Sequence, residues 1–230
     1  MYAQTRNPIP GTERETYPDS EVLLHSIKSA EMRNEPYKYW LLNNCLTNDA
    51  VDAILRLPFL PPDLGGVSGR RELHNASRTY FDSENNAQNP VCARVAALFQ
   101  EPVVTSALKD VFSAPINDCF LRIELAKDTD GFWLEPHTDI GVKRFTMILY
   151  LSRDAAHRDL GTDIYDRNKQ WVTRSPFVSN SALVFVPSDY SYHGFERRPI
   201  VGARTSLVIN YVTNEWRARE QLAFPHAPVQ

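Results

Sequence analysis

Between residues 117 and 212 the chain is dominated by strand-like runs: CFLRIELA, RFTMILYLS, TDIYD, QWVTR, ALVFVP and RTSLVINYV. They are rich in Val, Ile, Tyr, Phe and Thr and are parted by Gly, Pro, Asp and Asn turns, the pattern of many short strands in one β-rich unit. Before residue 117 the reading is mixed. Thr47 is expected to cap a helix over about Asn48–Leu57, which Pro58 ends. Asn89 and Pro90 open a second helix running to Phe99, and a third is expected over about Pro102–Phe112. Short strands are expected at Tyr37–Leu42 and Ser77–Phe81, with a Pro- and Gly-dense loop between residues 58 and 73. A helical half followed by short strands predicts an α+β chain, with helices packed on an antiparallel barrel or sandwich. Residues 1–36, polar and interrupted by Pro8, Pro10, Pro18 and Pro36, read as an N-terminal arm with one short helix near Glu21–Ala30. Residues 37–230 read as the functional domain, and EWRAREQLAF as a short helix before the tail.

The chain has 230 residues, 43% of them hydrophobic, enough for one core without covalent staples. A net charge of −3 argues against a broad nucleic-acid footprint. Cys45, Cys92 and Cys119 are odd in number and widely spaced, which predicts small buried apolar residues rather than a disulfide framework or a thiolate metal site. The N-terminus has no apolar core of a signal peptide, and no run reaches the roughly 18 apolar residues of a span. A reducing, cytoplasmic setting is the expectation. The oligomeric state is not legible.

The chemistry begins at His137-Thr138-Asp139. In an extended segment alternate residues share a face, so His137 and Asp139 can reach one ion while Thr138 turns away. His193, in SYHGF, is the third ligand on offer. Two imidazoles and one carboxylate on one face of an octahedron form the ligand set of non-haem iron(II) oxygenases, with the opposite face open. Eleven residues after His193, Arg204 and Ser206 share a strand face and can present a guanidinium fork and a hydroxyl to a carboxylate.

This order of residues resembles the 2-oxoglutarate and iron(II)-dependent dioxygenases, whose signature runs HxD, a distal His, then Arg-x-Ser. The match covers roughly residues 117–212. The resemblance implies a double-stranded β-helix, or jelly roll, with N-terminal helices packed on it. It implies iron(II) held by His137, Asp139 and His193, 2-oxoglutarate as cosubstrate with O2, and Arg204 with Ser206 on the distal carboxylate. RFTMILYLS resembles the prolyl-hydroxylase-like branch, which makes Tyr150 a further contact to that carboxylate, or else a core aromatic. Thr146 shares its strand face and is expected in the same pocket. Asn180 and Ser181 fall at the turn before the strand leading to the distal histidine, and Gly161 resembles the family's glycine-led strand.

Two departures matter. Where several branches carry a Tyr or Asn on the strand before HxD, this chain reads FLRIELA, leaving Arg122 or Glu124 as substitutes. Asp139 stands where related halogenases have Gly or Ala, so oxidation of a C–H bond, by hydroxylation or desaturation, is the expected chemistry. The rival from another class is a non-redox, cupin-like metal protein, an isomerase or binding module. It needs no anchor for a dicarboxylate.

The substrate is expected to be a small molecule. Lys143 and Arg144 follow the HxD loop, and Arg197 and Arg198 follow the distal His-Gly. These cations are either solvated loop residues or a rim that selects an anionic group. A further basic stretch contains Arg70, Arg71, His74 and Arg78. Phe132 and Trp133 either line the mouth or fill core.

Overall fold

The structure, a computed structural model, describes residues 18–61, 69 and 78–230. Eleven strands fall into two antiparallel sheets among the described residues. The larger has the order β1-β2-β9-β6-β11-β4-β3, the smaller β5-β10-β7-β8. In chain order the large sheet uses β1 (Glu31–Arg33), β2 (Tyr39–Asn43), β3 (Thr79–Tyr80), β4 (Phe120–Asp128), β6 (Lys143–Tyr150), β9 (Ser181–Phe185) and β11 (Arg204–Val212). The small sheet uses β5 (Leu134–His137), β7 (Asp163–Tyr165), β8 (Trp171–Arg174) and β10 (His193–Phe195). Five α-helices occur among the described residues: α1 (Pro18–Lys28), α2 (Asn48–Leu55), α3 (Ser83–Gln88), α4 (Pro90–Gln100) and α5 (Pro102–Phe112). This is the α+β jelly-roll core with packed helices that the sequence predicts.

The central strands β4, β11 and β6 are buried on both faces, and the two faces differ. Leu121, Ile123 and Leu125 of β4, Leu207, Ile209 and Tyr211 of β11, and Phe145, Met147 and Leu149 of β6 join the apolar core under the helices. The alternate residues turn toward the small sheet, as a period of two requires. There they read Arg122, Glu124, Ala126 and Asp128, then Arg204, Ser206, Val208 and Asn210, then Thr146, Ile148 and Tyr150. Burying so many polar groups is costly unless each is paired. A sheet with one apolar face and one buried polar face is therefore a scaffold built around a site.

The helices form where expected. Pro90 and Pro102 sit at the first turns of α4 and α5, where their missing N–H costs nothing. Cys92, Val95, Ala96 and Phe99 of α4 and Val104, Leu108 and Phe112 of α5 are buried at helical spacing. Phe145 joins these layers, its ring 6.0 Å from that of Phe112 and 5.7 Å from that of Tyr211. Phe145→Ala is expected to cost about 3–5 kcal/mol, read as a lower urea midpoint with an unchanged m-value. All three cysteines are free and buried. No single helix among the described residues is long and apolar enough to cross a membrane.

Several local expectations need correction. Residues 18–33 are not an arm apart from the domain. Leu23 and Ile27 of α1 are fully buried in the main core, and β1 pairs with β2. Thr47 flanks α2 but makes no side-chain cap bond. Its hydroxyl donates to Asp19 at 2.6 Å instead. The stretch after residue 215 forms only a 3-10 turn, Arg219–Gln221. Beyond it the chain runs back along β4, where the Ala223 and Val229 amides donate to the Leu121 and Cys119 carbonyls. Pairing with a strand satisfies that backbone without a helix.

Candidate metal centre

His137 ends β5 and His193 opens β10, and the two are direct partners across the antiparallel pair. Side chains at such positions project side by side, and the two rings lie 4.5 Å apart. β10 is also paired to β7, with His193 opposite Ile164, so His193 sits on an interior strand. The register slips between His193 and Phe195 against β5, a bulge of the kind that re-aims side chains beside sites. Gly194 permits this approach, because a Cβ there would stand 2.8 Å from the Leu134 carbonyl oxygen.

Both rings are oriented by the backbone. His137 Nδ1 lies 2.9 Å from the Glu135 carbonyl and His193 Nδ1 lies 3.0 Å from the Ser191 carbonyl. A carbonyl can only accept, so each Nδ1 carries the proton and each Nε2 keeps a lone pair for a metal. Burial first, and the neighbouring His137 second, push His193 down to about 3, which keeps its ring neutral.

Asp139 follows two residues after His137. Its Oδ1 accepts from Lys143 Nζ at 2.5 Å and its Oδ2 from Thr146 Oγ1 at 2.6 Å. Thr146 is oriented in turn by Asn210 Nδ2 at 2.9 Å, and Asn210 accepts from Arg122 at 3.1 Å. Burial alone would raise the Asp139 carboxyl. The charge of Lys143, with the bonds from Lys143 and Thr146, outweighs burial and holds it well below the usual carboxylate range. An ionised carboxylate has about four lone-pair positions, so two bonds leave room for a metal. The ligand atoms of His137, Asp139 and His193 all lie within 4.8 Å of one another. Two imidazoles, each with Nδ1 held by a backbone carbonyl, and one fixed carboxylate, facing one cavity, fit a divalent metal of the iron(II) type. Thr146→Val is expected to weaken metal affinity about 10–100-fold, measured by competition with a chelating dye.

The same cavity is lined by Arg204, Ser206, Thr162, Phe132 and Phe195. Arg204 is 5% exposed. Its Nε donates to the Leu160 carbonyl and its Nη1 to Asp128 Oδ2, each at 2.6 Å, and it lies 4.7 Å from the centre of the Phe195 ring. Tyr150 stands one layer back. Its hydroxyl is bonded to Thr162 at 2.8 Å and Ser175 at 2.5 Å, so it reaches the cavity wall through Thr162. Thr146 lines the cavity at the metal end, on Asp139, rather than beside Tyr150.

The expected cationic rim is not assembled as such. Lys143 is buried on Asp139, because the strand irregularity near Val212 brings it onto the inner face. Arg198 is tied to Asp163 Oδ2 and to the Gly161 carbonyl, both at 2.6 Å, and stacks 3.8 Å from the centre of the Phe195 ring. Asp163 also accepts from Trp171, Arg174 and the Glu196 amide, which fixes β7 beside β10. Arg144 and Arg197 are exposed and line no part of the metal cavity. Of the stretch containing Arg70, Arg71 and His74, those three lie outside the described residues. Arg78 is described and lines the cavity.

Sequence reasoning passed over Asp128, Asn210 and the true place of Lys143. A signal for two of them existed: Arg122, Glu124 and Asp128 fall on one face of an otherwise apolar strand, and Asn210 does so on β11.

No protein-family model matches this chain, and no curated protein matches it. Solved structures do. A prolyl 4-hydroxylase from Phytophthora capsici aligns with a TM-score of 0.58 at 18% identity, covering 91% of this chain and 70% of that one. A Pseudomonas putida prolyl 4-hydroxylase aligns at 0.56 and 13%, covering 85% and 99%. The fold is that of the prolyl hydroxylases. A Trichoplax adhaerens prolyl hydroxylase, solved with a peptide fragment of the hypoxia inducible factor oxygen degradation domain, agrees at 0.51 and 12%, covering 86% and 91%. At these identities the prolyl-hydroxylase likeness establishes architecture, and the chemistry rests on the residues themselves.

Proposed function

We propose that this protein is an iron(II)- and 2-oxoglutarate-dependent oxygenase that oxidises an unactivated C–H bond of a small-molecule substrate. One observation carries the reading. A His-Asp-His face, with both imidazole tautomers set by backbone carbonyls, opens into the cavity that also holds Arg204 and Ser206.

His137, Asp139 and His193 would hold the metal from one side. Lys143 and Thr146 keep the Asp139 carboxylate ionised and aimed. Arg204, with Ser206, would hold the distal carboxylate of the cosubstrate by charge-assisted bonds. Tyr150 and Ser175 set the Thr162 wall between them. Phe132, Leu134, Ile148, Phe195 and Val208 line the rest and limit water in the space where the oxidation occurs. When bound, iron(II) with 2-oxoglutarate and O2 supplies the oxidising power, the cosubstrate being decarboxylated to succinate.

The test is anaerobic titration of the protein with iron(II) and then 2-oxoglutarate. A visible charge-transfer band that needs both is the expected result. Metal binding without that band, together with zinc-supported turnover of any substrate, would replace this reading with a non-redox barrel.

A further inference from the structure

Arg78 is the last residue before β3 and comes from outside the strands that carry the site. Its side chain is 3% exposed and lines the metal cavity. Nη1 lies 2.7 Å from Asp128 Oδ1, and Nε lies 3.4 Å from Glu124 Oε1. The charges are therefore adjacent. Yet Arg78 Nε and Nη1 make no aligned hydrogen bond, and neither does Asp128 Oδ1. A buried charged donor left in that condition is costly, and guanidinium groups normally meet carboxylates as a matched fork. Contact without alignment leaves N–H capacity for another acceptor inside the cavity.

Asp128 links this group to Arg204. Its Oδ1 faces Arg78 and its Oδ2 accepts from Arg204 at 2.6 Å. One carboxylate thus spaces two guanidinium groups at the Arg204 end of the cavity. Arg78 lies 5.3 Å from the Phe132 ring centre and Arg204 lies 4.7 Å from that of Phe195. Those two rings pack against each other at 5.5 Å, so both cations rest on one aromatic floor. The charge balance points the same way. Among the described residues around the site, Arg78, Arg122, Lys143 and Arg204 are buried against the carboxylates of Glu124, Asp128 and Asp139. A divalent metal enlarges that positive excess, and a dianion offsets it.

We propose that Arg78 is a second anchor for the distal carboxylate of the cosubstrate, which is gripped between Arg78 and Arg204. Asp128 is the positioning residue that spaces them. The proposal rests on the oxygenase reading and deepens it. Arg204 alone would bind a carboxylate. Two guanidinium groups favour a dicarboxylate over a 2-oxo acid that ends in a methyl group, because the methyl end offers no acceptor to the N–H groups that Asp128 leaves over.

The test is calorimetric titration of the metal-loaded protein, without O2, with 2-oxoglutarate and with 2-oxopentanoate. The second keeps the chelating 2-oxo acid head and lacks the distal carboxylate. Arg78→Met is expected to weaken 2-oxoglutarate about thirty-fold or more and to leave 2-oxopentanoate unchanged. Arg78→Lys keeps the charge without the fork and should fall between. If Arg78→Met does not fold, Arg78→Lys, which keeps the buried charge opposite Asp128, carries the same comparison of ligands. Equal losses for the two ligands, or unchanged 2-oxoglutarate affinity, would overturn the proposal. Wild-type protein that binds metal but neither 2-oxo acid would overturn the oxygenase reading itself. Wild-type protein that discriminates between the ligands, beside a variant that discriminates as well, overturns the role of Arg78 alone.

Discussion

His193→Ala is expected to lower iron(II) affinity by more than about a hundred-fold. Changing a residue that merely supports a metal ligand already costs about 10–100-fold, and His193 is a ligand position itself. Its ring has no substitute within reach among the described residues, since His137 and Asp139 complete the cluster. His137→Ala and Asp139→Ala should behave alike, as each removes a third of the donor set. The measurement is iron(II) binding under anaerobic conditions, with far-UV circular dichroism as the check on folding. The β5–β10 pairing runs through backbone bonds, so the sheet should survive the loss of either imidazole. A folded His193→Ala protein with wild-type iron affinity and 2-oxoglutarate turnover would show that the ligand assignment is wrong.

Arg204→Met is expected to weaken 2-oxoglutarate by about 2–5 kcal/mol, the range for removing one partner of a buried charged contact. In affinity that is about thirty-fold or more. The methionine keeps much of the bulk over Phe195 and removes the fork, so packing should not account for the loss. Metal affinity should hardly change, because Arg204 touches none of the three ligands. A parallel fall in metal binding would mean that the Asp128 end of the cavity had collapsed. An unchanged 2-oxoglutarate affinity would move the anchor away from β11.

Much of the fold was legible because strands and helices write their periods into the chain. The boundaries of α5 and β11 follow directly from a proline at a helix start and from a strand-like run, RTSLVINYV, with no Gly or Pro in it. α3 escaped notice because SENNAQ has no apolar stripe, and nothing in it is buried. Its Asp82 cap, which accepts from the Asn85 amide at 2.8 Å, was its one signal. The 3-10 turn and tail were misread for the opposite reason. EWRAREQLAF has acceptable helix formers, and only the open edge beside the start of β4 offered that backbone better partners.

The site divides along the same line. That His137, Asp139, His193, Arg204 and Ser206 come together around one cavity was readable, because residue type and alternation within a strand are local properties of a chain. Lys143, Arg198 and Arg78 were not. Each is a cation at a loop or strand start, and sequence alone leaves such groups between solvent and a binding rim. A bulge in one strand turns Lys143 onto Asp139. The Asp163 carboxylate draws Arg198 out of any rim. The approach of residue 78 to β4 brings Arg78 against Asp128, 50 positions along the chain. Whether a charged side chain faces water, a carboxylate or a ligand is decided by which distant strand lies opposite it. That pairing is a property of the folded sheets and has no period to read.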